Sequence, residues 1–274
     1  MDILNGKIEE HYRKENLYQD ILNRLKDQNI DLDKVQRSDI AGVDEFHVRG
    51  AAVSKELASS ININGLKVLD MGSGLGGPCR MLADEHDCQT TGIDLSAEFV
   101  KTANALSKLV GLEHKTNFVH GSATELPFAD NSFDVVWTQH VQMNIPDKQK
   151  FYAEANRVLK PRGYFLYYDI FKRSDGEITY PMPWAQHGKL SFLIKNDGVA
   201  NILDGLGFSK VSTTDQTQAG IDFFSSLLAK MEVSGPPKIG LNVLMGESTK
   251  SKLTNLMSHL QRNLLMLESG VYRK

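Results

Sequence analysis

A cluster of glycines follows an acidic residue in Lys67–Gly77, which reads KVLDMGSGLGG. An apolar run ends at Asp70, and Gly72, Gly74 and Gly77 come within the next seven residues. A glycine-rich turn between a strand and a helix lets the backbone approach a ligand closely and points free N–H groups at it. The segment therefore predicts a strand, a ligand-binding turn and the start of a helix.

The spacing of these glycines formally matches the G-x-G-x-x-G fingerprint of dinucleotide sites. Asp70 argues against a pyrophosphate, because a carboxylate just before the turn would repel the phosphate oxygens. A ligand with an ammonium group and no phosphate would instead be favoured there. S-adenosylmethionine (SAM) has both properties. A purely structural role for Asp70, as a cap of the turn, is the alternative.

A second acidic residue ends the next predicted strand. The segment Gln89–Leu95 reads QTTGIDL, and Asp94 lies 20 residues beyond Gly74. In a βαβ unit, an acidic side chain at this place accepts hydrogen bonds from ribose hydroxyls. Ser96 follows as a good N-cap for the next helix. The pair of acidic residues therefore favours an adenosine-containing ligand.

Further motifs follow in order, namely GSATELPF, FDVVW and E-x-x-R-V-L-K-P-x-G. Together with VLDMGSGLGG and GIDLS, they resemble a class I SAM-dependent methyltransferase, of the branch that includes ubiquinone/menaquinone-biosynthesis and sarcosine/dimethylglycine methyltransferases. Ser122 departs from the family pattern, which usually has an acidic residue there. The resemblance implies SAM as cofactor and a binding site made of Asp70, Gly72, Ser73, Gly74, Asp94, Leu95, Ser122, Ala123 and Gln139.

The implied fold is α/β, a Rossmann-like, doubly wound, seven-stranded sheet whose last strand is antiparallel. We expect one domain over residues 1–274, with a helical N-terminal cap (1–60) and a SAM-binding core (61–171). A substrate loop (172–200) would follow strand five. A helical insertion (216–266) would follow strand six, as a cover for the substrate or a surface for a homodimer. Within these parts, the apolar spacing predicts one helix over Ile3–Leu25 and one over Thr249–Glu268. Ser269–Arg273 is β-prone, and the resemblance implies that it is the antiparallel last strand.

His140 and Asp169 are the candidate catalytic residues. Both lie at the ends of neighbouring strands, where ligands bind in this fold. An imidazole oriented by a carboxylate would be a general base for a hydroxyl or an acidic carbon. The alternative is that both residues only stabilise the ends of their strands.

The methyl acceptor is predicted to be a small molecule. An amine such as sarcosine or dimethylglycine is the first choice, with aromatic rings facing a developing cation. O- or C-methylation of a sugar, phenol or quinol with His140 as base is the alternative. The candidate substrate-binding residues are Tyr18, Arg49, Asn144, Tyr180 and Trp184. For Arg49, an ion pair with Asp44 or Glu45 is equally expected.

Bulk properties exclude several classes. The formal net charge is −3, from 31 basic and 34 acidic residues, which disfavours a nucleic-acid partner. No apolar run approaches the length of about 20 residues that spans a bilayer, so we expect a cytoplasmic protein without a membrane span. The two cysteines and eight histidines show no metal-site spacing, and we expect no metal. A non-catalytic SAM-binding module and a nicotinamide-dependent dehydrogenase remain as alternatives of other classes.

Overall fold

Seven strands form one sheet in the order β3-β2-β1-β4-β5-β7-β6. The computed structural model describes residues 3–12, 16–235 and 237–274. Strands β1 to β5 pair in parallel, and β7 is antiparallel to both of its neighbours. The fold class expected from the sequence is thereby confirmed. The strands are β1 (Lys67–Met71), β2 (Gln89–Asp94), β3 (Thr116–His120), β4 (Phe133–Gln139), β5 (Leu159–Lys172), β6 (Ser209–Asp215) and β7 (Leu265–Arg273).

Helices cover both faces of the sheet. Side chains alternate across a strand. Leu166 and Tyr168 of β5 therefore pack with α4, α5, α9 and α11, whereas Phe165 and Tyr167 pack with α7 and α8. The helices are α1 (Ile3–Tyr12), α2 (Leu17–Lys26), α3 (Arg37–Asp44), α4 (Ala51–Ala58), α5 (Gly77–Glu85), α6 (Ala97–Leu109), α7 (Lys148–Val158), α8 (Asn196–Gly205), α9 (Thr217–Ser234), α10 (Asn242–Met245) and α11 (Thr249–Gln261).

Over Ile3–Leu25 the described residues belong to two helices, where the sequence predicted one. Helix α1 ends at Tyr12 and α2 begins at Leu17, while part of the predicted helix, residues 13–15, lies outside the described ranges. Asn16 has a φ of 59°, in the left-handed region. A residue in that conformation interrupts a right-handed helix, and the two helices consequently present their apolar residues to different neighbours.

The C-terminal boundary also differs from the expectation. Helix α11 ends at Gln261 instead of Glu268, and β7 begins at Leu265. Asn263, with a φ of 56°, lies between the two elements. Pairing with β5 and β6 places residues 265–268 inside the sheet, and this tertiary pairing overrides the helical periodicity of the local sequence.

A long connection follows β5. Between β5 and α8 the chain contains only a short 3₁₀ turn at Gly188–Leu190. The backbone N–H of Phe192 donates to the carbonyl of Met143 at 2.7 Å, and the indole N–H of Trp184 donates to Ser191 Oγ at 2.9 Å. The first contact fastens the connection to the residues that follow β4, and the second lies within the connection. None of the helices in the described part of the chain is long and apolar enough to cross a membrane.

A buried ion pair fastens the cap to the sheet layer. The side chain of Arg80 in α5 is 0% exposed and that of Asp44, at the end of α3, is 4% exposed. Arg80 Nη2 donates to Asp44 Oδ1 and to the carbonyl of Leu75, each at 2.6 Å. Its Nη1 donates to the carbonyl of Ala103 in α6 at 3.2 Å. One guanidinium thus joins α3, the glycine turn and α6.

We expect Arg80→Met to lower the free energy of unfolding by about 3–5 kcal/mol, because it leaves the Asp44 carboxyl buried without its partner. Urea unfolding followed by circular dichroism measures the loss. Lys195→Met is the matched control, since it removes an exposed ion pair to Asp175 at 3.0 Å and should cost less than about 1 kcal/mol. Equal losses in the two variants would contradict the anchoring role of Arg80.

Candidate active site

A cavity of about 900 Å³ opens at the carboxyl ends of β1, β2 and β4. The strand order reverses between β1 and β4, and this switch point is where open α/β sheets bind ligands. Helix α1 covers one side of the cavity. The connection after β5 and helices α9 to α11 supply the remaining walls.

The end of the cavity nearest β1 and β2 is polar. Gly72 has a φ of 81°, and a Cβ added there would lie 2.4 Å from Val141 Cγ2, so only glycine fits. The Asp94 carboxylate accepts the N–H of Gly74 at 2.9 Å and that of Ser96 at 2.8 Å. These bonds fix the carboxylate at the cavity wall. All nine residues that the resemblance assigned to the cofactor line the cavity, namely Asp70, Gly72, Ser73, Gly74, Asp94, Leu95, Ser122, Ala123 and Gln139.

Asp70 is a strongly desolvated acid on this wall. Its side chain is buried, and within the described part of the chain its hydrogen bond comes from the Cys79 thiol, with Sγ 3.6 Å from Oδ2. Among the described residues no lysine, arginine or histidine forms an ion pair with it. Burial raises the pKa of Asp70 from its ordinary value of 3.8 to about 7. A cation brought to this carboxyl would therefore be strongly favoured.

The opposite end of the cavity is an apolar chamber. Met143 and Ile170 come from the sheet edge, and Trp184 comes from the connection after β5. Lys150, near the exposed Asp147, is the only lysine or arginine on the wall among the described residues. The remaining apolar members of the chamber are Phe223, Phe224, Leu241, Met245, Leu253 and Leu256.

His140 reaches the cavity but lacks the expected carboxylate partner. Its ring stacks on Tyr168 with the centroids 4.9 Å apart, and its Nε2 is buried with no hydrogen-bond partner in the described part of the chain. Burial holds the pKa of His140 well below its ordinary value. A neutral imidazole with so low a pKa is a weak general base.

Asp169 is not on the cavity wall. Its Oδ2 accepts the N–H groups of Val141 and Gln142, each at 3.2 Å, and its Oδ1 accepts the N–H of Ile170 at 2.9 Å. The expected pairing with the imidazole of His140 is therefore wrong. These backbone bonds occupy the carboxylate and hold the turn that follows β4.

Of the five candidate substrate residues, Asn144 and Trp184 line the cavity and three do not. Arg49 is held elsewhere, because its guanidinium binds both oxygens of Glu56 at 2.8 and 2.5 Å. The expectation that it pairs with a ligand or with Asp44 or Glu45 is wrong. Tyr18 packs in the cluster between α2 and α6, and Tyr180 lies beside Gly188 outside the wall.

Two features of the site were not among the candidate residues chosen from the sequence. Tyr12, rather than Tyr18, faces the cavity, where its hydroxyl donates to Asn144 Oδ1 at 2.8 Å. A buried polar network also joins Glu45 and His47, ahead of α4, to Ser54 in that helix. The signal was present in the segment DEFH, which places titratable residues shortly before α4. No group of three or more His, Cys, Asp or Glu side chains suited to a metal occurs in the ranges that the structure describes.

The fold is a Rossmann-like sheet with its cavity at the switch point of the strand order. Residues 69–167 match the family model described as a methyltransferase domain. Over these residues the chain is similar to methyltransferase domains, and the match lies within the stretch where the sequence motifs predicted one.

Relatives cover part of the chain. It is 33% identical over 143 residues to the glycine/sarcosine/dimethylglycine N-methyltransferase of Actinopolyspora halophila, covering 52% of this chain and 24% of that protein. It is 38% identical over 127 residues to a sterol 24-C-methyltransferase of Gibberella zeae, covering 44% of this chain and 33% of that protein. The chain thus spans a third or less of the length of these two relatives.

A solved structure matches over most of the chain. Phosphoethanolamine N-methyltransferase 2 of Haemonchus contortus, in complex with SAM, superposes with a TM-score of 0.72 at 20% identity. The match covers 86% of this chain and 55% of the other. At this identity the likeness establishes the fold.

Asp70→Asn should change how stability depends on pH. The unfolded chain ionises this carboxyl near pH 3.8, whereas the folded chain keeps the proton up to about pH 7. Between these values folding takes up a proton, so the wild type loses stability as the pH rises, by up to about 1.4 kcal/mol per pH unit. The asparagine variant lacks this contribution, and its stability relative to the wild type should rise with pH. Urea unfolding at several pH values measures the difference, and a difference independent of pH would contradict the assignment.

Proposed function

We propose that this chain binds SAM at the polar end of the cavity and transfers the methyl group to an acceptor in the apolar chamber. The observation that carries the proposal is the buried Asp70 carboxyl, which faces the cavity and has no cationic partner among the described residues. The ammonium of SAM would supply that partner. Bound there, SAM supplies a methyl group activated by its sulfonium.

Each polar residue has a role in this proposal. Asp94, already held by two backbone N–H groups, keeps lone pairs for the ribose hydroxyls. Gly72 lets the backbone approach the methionyl part, and Ser73, Gly74 and Leu95 complete that wall. Ser122 and Ala123 would flank the adenine, and Gln139 would lie near the methionyl group. The protein's main task is then to align donor and acceptor and to exclude water.

The chamber favours an acceptor that is mostly apolar. Its walls consist of aromatic and aliphatic side chains, and Arg49, the cation expected for an acceptor carboxylate, is bound to Glu56 outside it. A phenol, quinol or comparable ring compound suits these walls better than sarcosine. The sterol methyltransferase relative acts on an apolar acceptor and supports this choice.

N-methylation of a small amine is the second candidate. The Actinopolyspora halophila relative, whose name gives glycine, sarcosine and dimethylglycine as acceptors, favours it. Trp184 on the chamber wall would offer a ring to the developing cation.

A cytoplasmic location and a homodimer stay predictions.

Transfer of tritiated methyl from SAM to matched acceptors tests the proposed function. We expect turnover of alkylphenols or quinols and little with sarcosine or dimethylglycine. Calorimetry with SAM, S-adenosylhomocysteine and NAD accompanies the screen. Binding of NAD without SAM would contradict the proposal and support a dehydrogenase. Binding of SAM without any turnover would support a non-catalytic module, and turnover of sarcosine alone would support the second candidate.

Phe223→Ala should weaken acceptor binding while leaving SAM binding unchanged. The ring lines the chamber, and its removal forfeits apolar burial worth about 1.5–3 kcal/mol, which corresponds to a rise in KM of about tenfold or more. Val233→Ala on the same helix is the control, because that side chain is 88% exposed and should leave KM unchanged. Loss of SAM affinity in Phe223→Ala with an unchanged KM would place the acceptor elsewhere.

A further inference from the structure

Three polar groups converge on one nitrogen of the His47 imidazole. Nε2 lies 2.9 Å from Gln139 Nε2, 3.0 Å from Ser54 Oγ and 3.2 Å from Glu45 Oε2. The side chain is buried, and burial lowers the pKa of His47 to about 3, so the ring is neutral. A neutral imidazole carries its single proton on one nitrogen only.

The network determines which nitrogen carries that proton. Trp137 Nε1–H can only donate, and it lies 2.9 Å from Gln139 Oε1. This bond orients the amide and directs its NH₂ group at His47. Because an amide NH₂ also only donates, His47 Nε2 must accept. Glu45 fits this arrangement, since burial raises its pKa to about 8 and leaves it a proton to donate. The proton of His47 is therefore on Nδ1.

The Nδ1–H group belongs to a side chain on the cavity wall. His47 lines the cavity, and its hydrogen bonds to described residues all involve Nε2, so none of these residues occupies Nδ1–H. Its ring centroid is 6.0 Å from that of His140 at the end of β4. The next residue, Val48, packs in the same cluster as Phe224, Met245 and Leu253 of the chamber. The donor thus lies at the boundary between the polar end and the chamber.

We propose that His47 binds, through Nδ1–H, an anionic oxygen of the methyl acceptor, such as that of a phenolate. This inference rests on the proposed function and deepens it by selecting an oxygen acceptor over an amine. A phenolate oxygen can accept the N–H bond and still attack through another lone pair. A neutral amine has one lone pair, which the attack consumes, so the buried N–H would be left without a partner.

The chemical step balances without a general base. The acceptor releases its proton to water as it binds as the phenolate. The oxygen–methyl bond then forms while the methyl–sulfur bond breaks, and the electron pair of that bond stays on sulfur. His47 keeps its proton throughout. Because its N–H is already in position in a site that excludes water, no dipoles have to reorient during the reaction. The weak basicity of His140 is then no obstacle.

Nuclear magnetic resonance of the full chain labelled with ¹⁵N-histidine tests the assignment. We expect His47 to show the Nδ1–H tautomer. Its signals should shift on adding para-pentylphenol to the complex with S-adenosylhomocysteine, while para-pentylaniline should leave them in place. His114, which is exposed, is the internal control.

Several outcomes would overturn this inference. His47 could show the Nε2–H tautomer or an imidazolium. Its signals could shift equally with para-pentylaniline, or could fail to shift with para-pentylphenol. A shift caused by S-adenosylhomocysteine alone would assign the N–H to the cofactor carboxylate and would also overturn it. If S-adenosylhomocysteine does not bind in calorimetry, the proposed function itself is contradicted. The tautomer of His47 can still be determined in that case.

Two variants give the kinetic test. His47→Asn keeps an N–H donor near the position of Nδ1, whereas His47→Gln places its amide near Nε2. We expect kcat/KM for para-pentylphenol to fall by about tenfold to a hundredfold in His47→Gln and by less than about threefold in His47→Asn. The Kd for SAM should not change in either. Equal losses in the two variants, or a weakened Kd for SAM, would contradict the role of Nδ1–H.

Discussion

The burial of the Asp70 carboxyl is the constraint on which the site depends. A desolvated carboxyl is unfavourable as an anion unless a cation or several hydrogen-bond donors accompany it. The described residues give Asp70 a thiol and no cation. The protein thus keeps an acid with a raised pKa at the edge of its sheet, facing the cavity. Such a group is costly for folding alone, and its place is explained by a cationic ligand.

The surrounding structure maintains this environment. The glycine turn brings the backbone close to the carboxyl, and at Gly72 a larger residue would collide with Val141. The ion pair of Arg80 with Asp44 fastens the end of α3 beside the turn, and the chain continues from there into Glu45 and His47. The cap therefore contributes both the cover of the cavity and polar side chains on its wall. The apolar chamber continues from this polar end without interruption.

The nine residues predicted for the cofactor all line the cavity, whereas of the five predicted for the substrate only Asn144 and Trp184 do. Asp70 lies at the end of β1 and Gly72 directly after it, and Asp94 lies at the end of the neighbouring strand β2. The order of strands, turns and helices along the chain therefore predicts that they share one edge of the sheet. His47 meets Gln139 only through tertiary packing across 92 residues, which no local pattern reveals. Asp169 was assigned from its place near the end of β5, but the backbone N–H groups of Ile170 and of the turn after β4 occupy it. The break near Asn16 changed which tyrosine of the cap faces the cavity, and β7 began earlier because sheet pairing overrode helical periodicity.

Proton release on SAM binding is the most direct test of the central claim. If the ammonium of SAM pairs with Asp70, binding at about pH 6.5 must ionise a carboxyl that is mostly protonated beforehand. Calorimetric titrations in buffers of different ionisation enthalpy should show release of up to about one proton per SAM bound. Asp70→Asn should abolish that release and weaken binding. SAM binding without proton release, or with equal release in the wild type and Asp70→Asn, would contradict the account.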